Sequence, residues 1–356
     1  MTQIMLRRNL SFSIILMVLL LAITFPAPDD NQDIDEFFGL TMGTSYRFQL
    51  VGIPTELTHE VIAEEIEELL IDLDSGTFST YAPESELSQL NRYDANIPFD
   101  ASFELIEVLS LAQEISVLTN GAFDITVGPL VNLWGFGPDS EISRGNLPNS
   151  EVIEDTLEHV GYNYLLIDVA RLQLEKNANI YMDLSGIAKG YAVDRVGEYF
   201  DSIGVENYFL EIGGELKMKG FKQGNENWIP AIETPLETPL GTLPEIYAVI
   251  NSGGKTMAVA GSGDYRNYFE ENGERFSHEI DPRTGRPVKN DLAAVYVIDS
   301  SAARADALAT AYMIMGLEEA RALAESTDQA AYFIYRIGSE EFADQQSKAF
   351  NEYLAF

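Results

Sequence analysis

The residues best suited to chemistry fall in two stretches, Asp183-Leu-Ser-Gly186-Ile-Ala-Lys189-Gly-Tyr-Ala-Val-Asp194 and Ala305-Asp306-Ala-Leu-Ala-Thr310-Ala. The first predicts a strand over Ile180 to Leu184 that breaks at Ser185-Gly186 and turns helical, with Ile187, Tyr191, Val193, Val196 and Phe200 on the apolar side. Such a junction presents backbone N–H groups and suits a phosphate. Lys189, in the first helical turn, sits beside the positive end of its own helix, a placement that an anionic ligand would relieve. In the second stretch Asp306 and Thr310 are one helical turn apart, so a carboxylate and a hydroxyl share a face. That pair suits Mg²⁺, which keeps waters and takes substrate phosphates as further ligands. Taken singly, each stretch also reads as an ordinary α/β junction or a solvent-facing helix. His278, one of three histidines, lies between aromatic and acidic neighbours and is a candidate general base, with a purely structural histidine as the plain alternative.

The elements that must position these residues alternate between helix and strand. A strand over Tyr46 to Val51 precedes an amphipathic helix over Thr55 to Leu73, whose stripe is Ile62, Ile66, Leu69, Leu70 and Leu73 and whose other face is solvated glutamate. A short helix capped at Ser85 and a longer one over Asp100 to Leu118 follow, the latter closed by Asn120-Gly121. After a helix over Ser150 to Val160, a hairpin over Tyr164 to Val169 and Leu172 to Lys176 leads into the Asp183 motif. The chain is then β-rich: Asn207 to Ile212, a Gly213-Gly214 turn, Glu215 to Lys219, Trp228 to Glu233 and Ile246 to Asn251, with a surface loop over Thr234 to Pro244. A strand over Ala294 to Asp299 feeds Ser300 and Ser301 as caps of the Asp306 helix, which stops at Gly316. No internal repeat divides the chain.

Composition bounds the chemistry. With 356 residues and 46% hydrophobic content the chain builds a sizeable core. It has no cysteine, which excludes disulfides, thiolate nucleophiles, zinc-thiolate sites and iron-sulfur clusters. A net charge of −35 argues against a nucleic-acid partner and makes any anionic ligand depend on local cations. Arg7-Arg8, an uncharged run from Leu10 to Phe25 and Pro26-Ala-Pro-Asp-Asp follow the pattern of an export signal. The expected organisation is residues 1–28 as export signal or N-terminal anchor, 29–38 as an acidic connector and 39–356 as one domain. The N-terminal segment gives a route to membrane association, and the expected location is periplasmic or at the outer face of the cytoplasmic membrane.

In order along the chain, Met42-Gly-Thr44, Ser79-Thr-Tyr81 with Ser85-Glu-Leu-Ser, Gly121-Ala122-Phe123-Asp124, Asp183 through Gly190, Ser262-Gly-Asp-Tyr265, His278-Glu-Ile-Asp-Pro-Arg-Thr-Gly285 and Ala305-Asp306-Ala-Leu-Ala-Thr310 closely resemble the ApbE-type FAD:protein FMN transferases. The resemblance spans about Gly39 to Ile337. It implies a mixed α+β domain with a β-sheet core and flanking helices, binding FAD as substrate with Mg²⁺ at its pyrophosphate. The implied reaction moves FMN from FAD to a threonine or serine hydroxyl of an acceptor protein and releases AMP. Met42 and Tyr81 would flank the flavin, Ala122, Phe123, Asp124 and Asp183 would hold other parts of FAD, and Lys189 would meet it near the phosphates. The metal would lie between the Gly186 carbonyl, the Asp306 carboxylate and the Thr310 hydroxyl. The implied partners are acceptor flavoproteins such as subunits of sodium-translocating or related electron-transfer complexes. Gly261 stands where the family carries threonine, and the lipid-anchor cysteine of many relatives is missing. Two other readings stay open on the residues alone: a Mg²⁺-dependent FAD pyrophosphatase giving FMN and AMP, and a non-catalytic exported FAD-binding protein.

Overall fold

The first strand, β1 (Ile34–Thr41), starts inside the stretch read as an acidic connector, because its residues find a full antiparallel partner in β2 (Thr44–Val51). The computed structural model describes residues 34–137, 147–236, 242–265, 268–271, 274–338 and 341–354. The segment 1–28, the loop opening at Pro138 and the centre of the 234–244 loop lie outside the described residues.

After β2 come α1 (His59–Ile71), α2 (Glu86–Arg92), the short β3 (Phe99–Asp100) and α3 (Phe103–Leu118). Thr58 caps α1, so the helix starts four residues later than its composition suggests, and Ile62, Ile66 and Leu70 form its buried stripe. A π-helical turn, Asp72–Phe78, continues α1 toward the site. Next are α4 (Gly128–Leu133), α5 (Ser150–Leu157), the hairpin β4 (Leu165–Asp168) and β5 (Gln173–Lys176), and α6 (Ala188–Ser202). Residues Ile180 to Leu184, expected as a strand, are extended but join no sheet. The Asn91 side chain takes the place of a neighbouring strand, donating to the Met182 carbonyl at 2.9 Å and accepting from its amide at 2.8 Å.

The second half adds β6 (Asn207–Ile212), β7 (Glu215–Lys219), β8 (Ala231–Glu233), β9 (Ile246–Val249), β10 (Met257–Gly263), β11 (Tyr268–Glu271), β12 (Glu274–Ser277), β13 (Ile280–Asp281), β14 (Arg286–Pro287) and β15 (Leu292–Asp299). The chain closes with α7 (Ala302–Met315), α8 (Leu317–Ser326), β16 (Ala330–Arg336) and β17 (Phe342–Gln346). Eight strands make one antiparallel sheet in the order β1-β2-β6-β7-β10-β15-β16-β17. This is the α+β class, with the connections between neighbours supplied by hairpins and helical excursions.

Strand alternation divides the sheet between two cores. Phe48, Leu50, Leu210, Ile212, Val295, Val297 and Phe333 pack on the helices, while Met218, Val259, Ile298 and Tyr332 pack on Trp228, Ile232 and Phe350 on the opposite face. In α7, eleven of 14 residues are buried and most are alanine. Small side chains let it lie close to both the sheet and α6, which carries Asp306 into the interior instead of leaving it in solvent. Gly190 is the point of closest approach: a Cβ there would stand 2.3 Å from the Ala302 carbonyl oxygen.

Candidate active site

The site forms where the first turn of α6 meets the flank of α7 at the end of the sheet. Lys189 reaches across to β7 and makes an ion pair with Glu215, and its Nζ lies 3.8 Å from Asp306 Oδ2. The Gly190 amide donates to the same Asp306 oxygen at 3.1 Å. Thr310, one turn along α7, approaches Gly186 closely: a Cβ on Gly186 would lie 3.2 Å from Thr310 Oγ1 and 3.3 Å from the Phe123 ring. Ser262 of β10 meets the same hydroxyl at 3.4 Å. The two motifs that stand about 120 residues apart in the chain therefore share one wall.

The electrostatics of this wall are unbalanced. Burial pulls the Lys189 ammonium toward neutrality, but the Asp306 and Glu215 carboxylates outweigh that and hold it above its ordinary value. Burial likewise raises the Glu215 carboxyl, with Lys189 pulling the other way. Glu279 is buried nearby and is also raised, chiefly by desolvation, with His278 and Lys189 opposing and Asp264 and Asp306 adding to the rise. Carboxylates outnumber ammonium groups here, an arrangement that a divalent cation would neutralise. Among the described residues no three His, Asp or Glu side chains converge as metal ligands. The set that the resemblance implies, the Asp306 carboxylate, the Thr310 hydroxyl and the Gly186 carbonyl, is all oxygen and fits the ligand preference of Mg²⁺.

This wall lines a cavity of about 1190 Å³ that takes in every site residue read from the sequence: Met42, Tyr81, Ala122, Phe123, Asp124, Asp183, Gly186, Lys189, His278, Asp306 and Thr310. Met42 sits in the two-residue turn between β1 and β2 with φ 49°, followed by Gly43 at 74°, and its amide donates to Asp74 Oδ2 at 3.0 Å. That left-handed conformation is unusual for methionine and is held by the π-helical segment that carries Asp74. Tyr81, 72% exposed, stands at the rim. Ala122 and Phe123 are buried in the cavity wall, and the loop that carries them is tied down by the Thr119 hydroxyl accepting from the Phe123 amide at 3.1 Å.

Two of the carboxylates already serve the chain. Asp124 accepts from the Thr126 amide and hydroxyl at 2.8 and 2.7 Å and from the Tyr162 amide at 2.8 Å, while burial raises its pKa against those bonds. Asp183 Oδ1 accepts from the Ser185 amide at 2.7 Å and so shapes the turn that leads to Gly186. His278 lines the cavity with its Nε2 3.7 Å from Glu279 Oε1 and its ring in an edge-type contact with Phe136.

Sequence reasoning gave no role to Glu215, nor to Glu279, Ser262 and Asp194, which stand inside the motifs it quotes. Asp194 is the clearest case. From α6 it accepts from the Ser301 hydroxyl at 2.7 Å and from the Ala302 and Ala303 amides at 2.9 and 3.0 Å, and it pairs with Lys217 at 2.5 Å. It thus caps α7 from a neighbouring helix. The signal that could have found these residues is the alternation Glu215, Lys217, Lys219 on one side of β7, each facing an opposite charge on α6: Lys189, Asp194 and Asp201. At Gly261, a Cβ would lie 2.8 Å from the Tyr296 ring, so the tyrosine fills the space that a threonine side chain would need.

The family model described as the ApbE family matches residues 42–334. A FAD:protein FMN transferase of Vibrio cholerae is 40% identical over 314 residues, covering 88% of this chain and 91% of that protein. One from Haemophilus influenzae is 36% identical, covering 93% and 95%. Among solved structures, the flavin transferase ApbE from Vibrio cholerae superimposes with a TM-score of 0.81 at 37% identity, covering 91% of this chain and all of that one. The apo flavinyl transferase ApbE of Pseudomonas stutzeri gives 0.80 at 37% identity, covering 90% and 96%. The motifs, the sheet that places them and these likenesses agree: the chain belongs to the ApbE family.

Proposed function

We propose that the protein is a FAD:protein FMN transferase that uses Mg²⁺, takes a threonine or serine hydroxyl of an exported flavoprotein as acceptor and releases AMP. The observation that carries this reading is the meeting of Lys189, Asp306, Thr310 and Gly186 on one wall of a cavity large enough for a dinucleotide and open to a second, protein substrate. In the reaction the acceptor oxygen bonds to the FMN-side phosphorus as the bond from that phosphorus to the AMP-side bridging oxygen breaks. The hydroxyl proton passes to a base and AMP leaves with the bridging oxygen. Asp306, Thr310 and the Gly186 carbonyl would hold Mg²⁺, which would supply Lewis-acid neutralisation of the phosphate charge.

The chain's own residues supply the rest. Lys189 brings a permanent positive charge to the phosphate side of the cavity. Met42, Tyr81 and Phe123 give apolar and aromatic surface for the flavin and adenine, and the rigid Asp183–Gly186 turn fixes where the pyrophosphate stops. His278, the histidine that lines the cavity, is placed to accept the acceptor's proton, adding about 10²–10⁴-fold. A Vibrio cholerae relative has also been solved with one histidine replaced by glycine. Export places the enzyme where its acceptors are, at the outer face of the cytoplasmic membrane.

The test is the intact mass of an acceptor domain incubated with FAD, Mg²⁺ and the enzyme, with AMP assayed in the same tube. A gain of one FMN residue with one AMP released is the expected result. AMP and FMN without a modified acceptor would replace the transferase with a pyrophosphatase, and bound flavin with neither product would replace it with a carrier.

A further inference from the structure

Glu215 is a buried charged group in the site that the reaction above does not use. It is the first residue of β7, delivered by the Gly213-Gly214 turn, whose φ values of 59° and 104° turn the chain directly beneath the first turn of α6. Its side chain is 3% exposed, one oxygen is held by Lys189, and the other, Oε2, is buried with no hydrogen-bond partner. Alternation along β7 keeps it on the helix side of the sheet with Lys217 and Lys219. Burying a carboxylate half-satisfied costs stability that its pairing with Lys189 offsets only in part.

A free lysine has four rotatable bonds and many positions for its ammonium. Here that ammonium is pinned from two sides, by Glu215 from the sheet and by Asp306 from α7, and the Gly213 turn closes the third: a Cβ on Gly213 would lie 3.3 Å from Lys189 Cδ. We propose that Glu215 is the positioning residue of the site, holding the Lys189 ammonium beside Asp306 so that the charge meant for the phosphates is already in place when FAD arrives. Glu215 lines the cavity beside Lys189 and is closed to solvent. It acts through Lys189, and its contribution falls on turnover more than on FAD affinity, because a misplaced ammonium still attracts an anion but no longer meets the phosphorus that reacts. The inference rests on the reading of Lys189 as a phosphate-facing charge.

The experiment is a double-mutant cycle of Glu215→Gln with Lys189→Ala, read by acceptor flavinylation under saturating FAD and by FAD binding. Gln keeps the shape of Glu, so folding is preserved, and Glu215→Asp serves as the conservative partner. Expected is a fall in kcat of about 10²-fold for Lys189→Ala and at least about tenfold for Glu215→Gln, with the double variant within about threefold of Lys189→Ala. FAD affinity in Glu215→Gln should move by less than about threefold, and Glu215→Asp should recover part of the rate. Equal losses from Glu215→Gln in both backgrounds, or a loss of FAD binding in place of turnover, overturn the proposal while leaving the site standing. A Lys189→Ala enzyme with normal turnover overturns the placement of Lys189 itself, and the inference with it.

Discussion

The Gly190 amide and Asp306 Oδ2 are joined by a 3.1 Å hydrogen bond that spans 116 positions of sequence. The bond ties the phosphate-side turn of α6 to the carboxylate of α7, so neither can shift without the other. The Lys189 ammonium approaches the same oxygen, at 3.8 Å.

Replacing that carboxylate separates binding from chemistry. Asp306→Ala is expected to lower flavinylation by about 10²–10³-fold while flavin still binds through the aromatic walls. Acceptor mass and AMP release, measured beside the quenching of flavin fluorescence, decide it. Equal activity in the variant removes Asp306 from the proposed metal site.

Gly190→Ala tests the helix contact. A methyl 2.3 Å from the Ala302 carbonyl forces α6 and α7 apart, at a cost of about 1–3 kcal/mol, and spreads Lys189 from Asp306. Chemical denaturation should show the stability loss, and turnover should fall further than the loss of folded protein explains.

Asp194→Ala removes the acceptor for the Ala302 and Ala303 amides, leaving Ser301 as the cap of α7, and strands the Lys217 ammonium in a half-closed environment. Its expected cost is about 3 kcal/mol, larger than for an ordinary surface cap, and Mg²⁺ does not restore it. Asp194→Asn, which keeps an acceptor, should lose less. Thermal unfolding of the two variants orders them.

Glu279 sets a pH dependence. Burial holds its carboxyl above the ordinary 4.5, so the folded state keeps a proton that the unfolded state releases. Stability from this group is complete below that ordinary value and is lost as pH rises through the elevated one. Glu279→Gln is therefore expected to match the parent protein near the acid end and to exceed it above the raised pKa. Melting temperatures of both proteins across that window check the sign, and a parent protein that gains on the variant as pH rises would reverse it.

Much of this site was legible before any coordinates. That Asp306 and Thr310 share a helix face and that Lys189 stands in the first turn after Ser185-Gly186 are local patterns that the backbone fixes; that the two stretches belong to one site comes from the order of motifs along the whole chain. The sheet strands Asn207–Ile212 and Glu215–Lys219 were readable for the same reason, with Gly213-Gly214 between them. Glu215 was not, because its meaning lies in what stands across from it on another element. Ile180 to Leu184 misled because its alternation is real but its partner is one asparagine side chain and not a strand. The edge strand at Ile34 was hidden by its acidic outer residues, of which Glu36 is bound by Arg47 and Gln49.

The three charged residues of β7 have a consequence for how the molecule finds its fold. Read down the strand they run negative, positive, positive, against positive, negative, negative on α6. A helix that slid by one rung in either direction would set Asp194 against Glu215, or Lys189 against Lys217, with like signs in contact at a cost of several kcal/mol. Only one alignment satisfies the first two rungs, so the pattern works as a key that admits a single seating of the helix. The ammonium proposed to serve the phosphates is thus also a tooth of that key, so in that proposal assembly and reactivity are selected by the same atom.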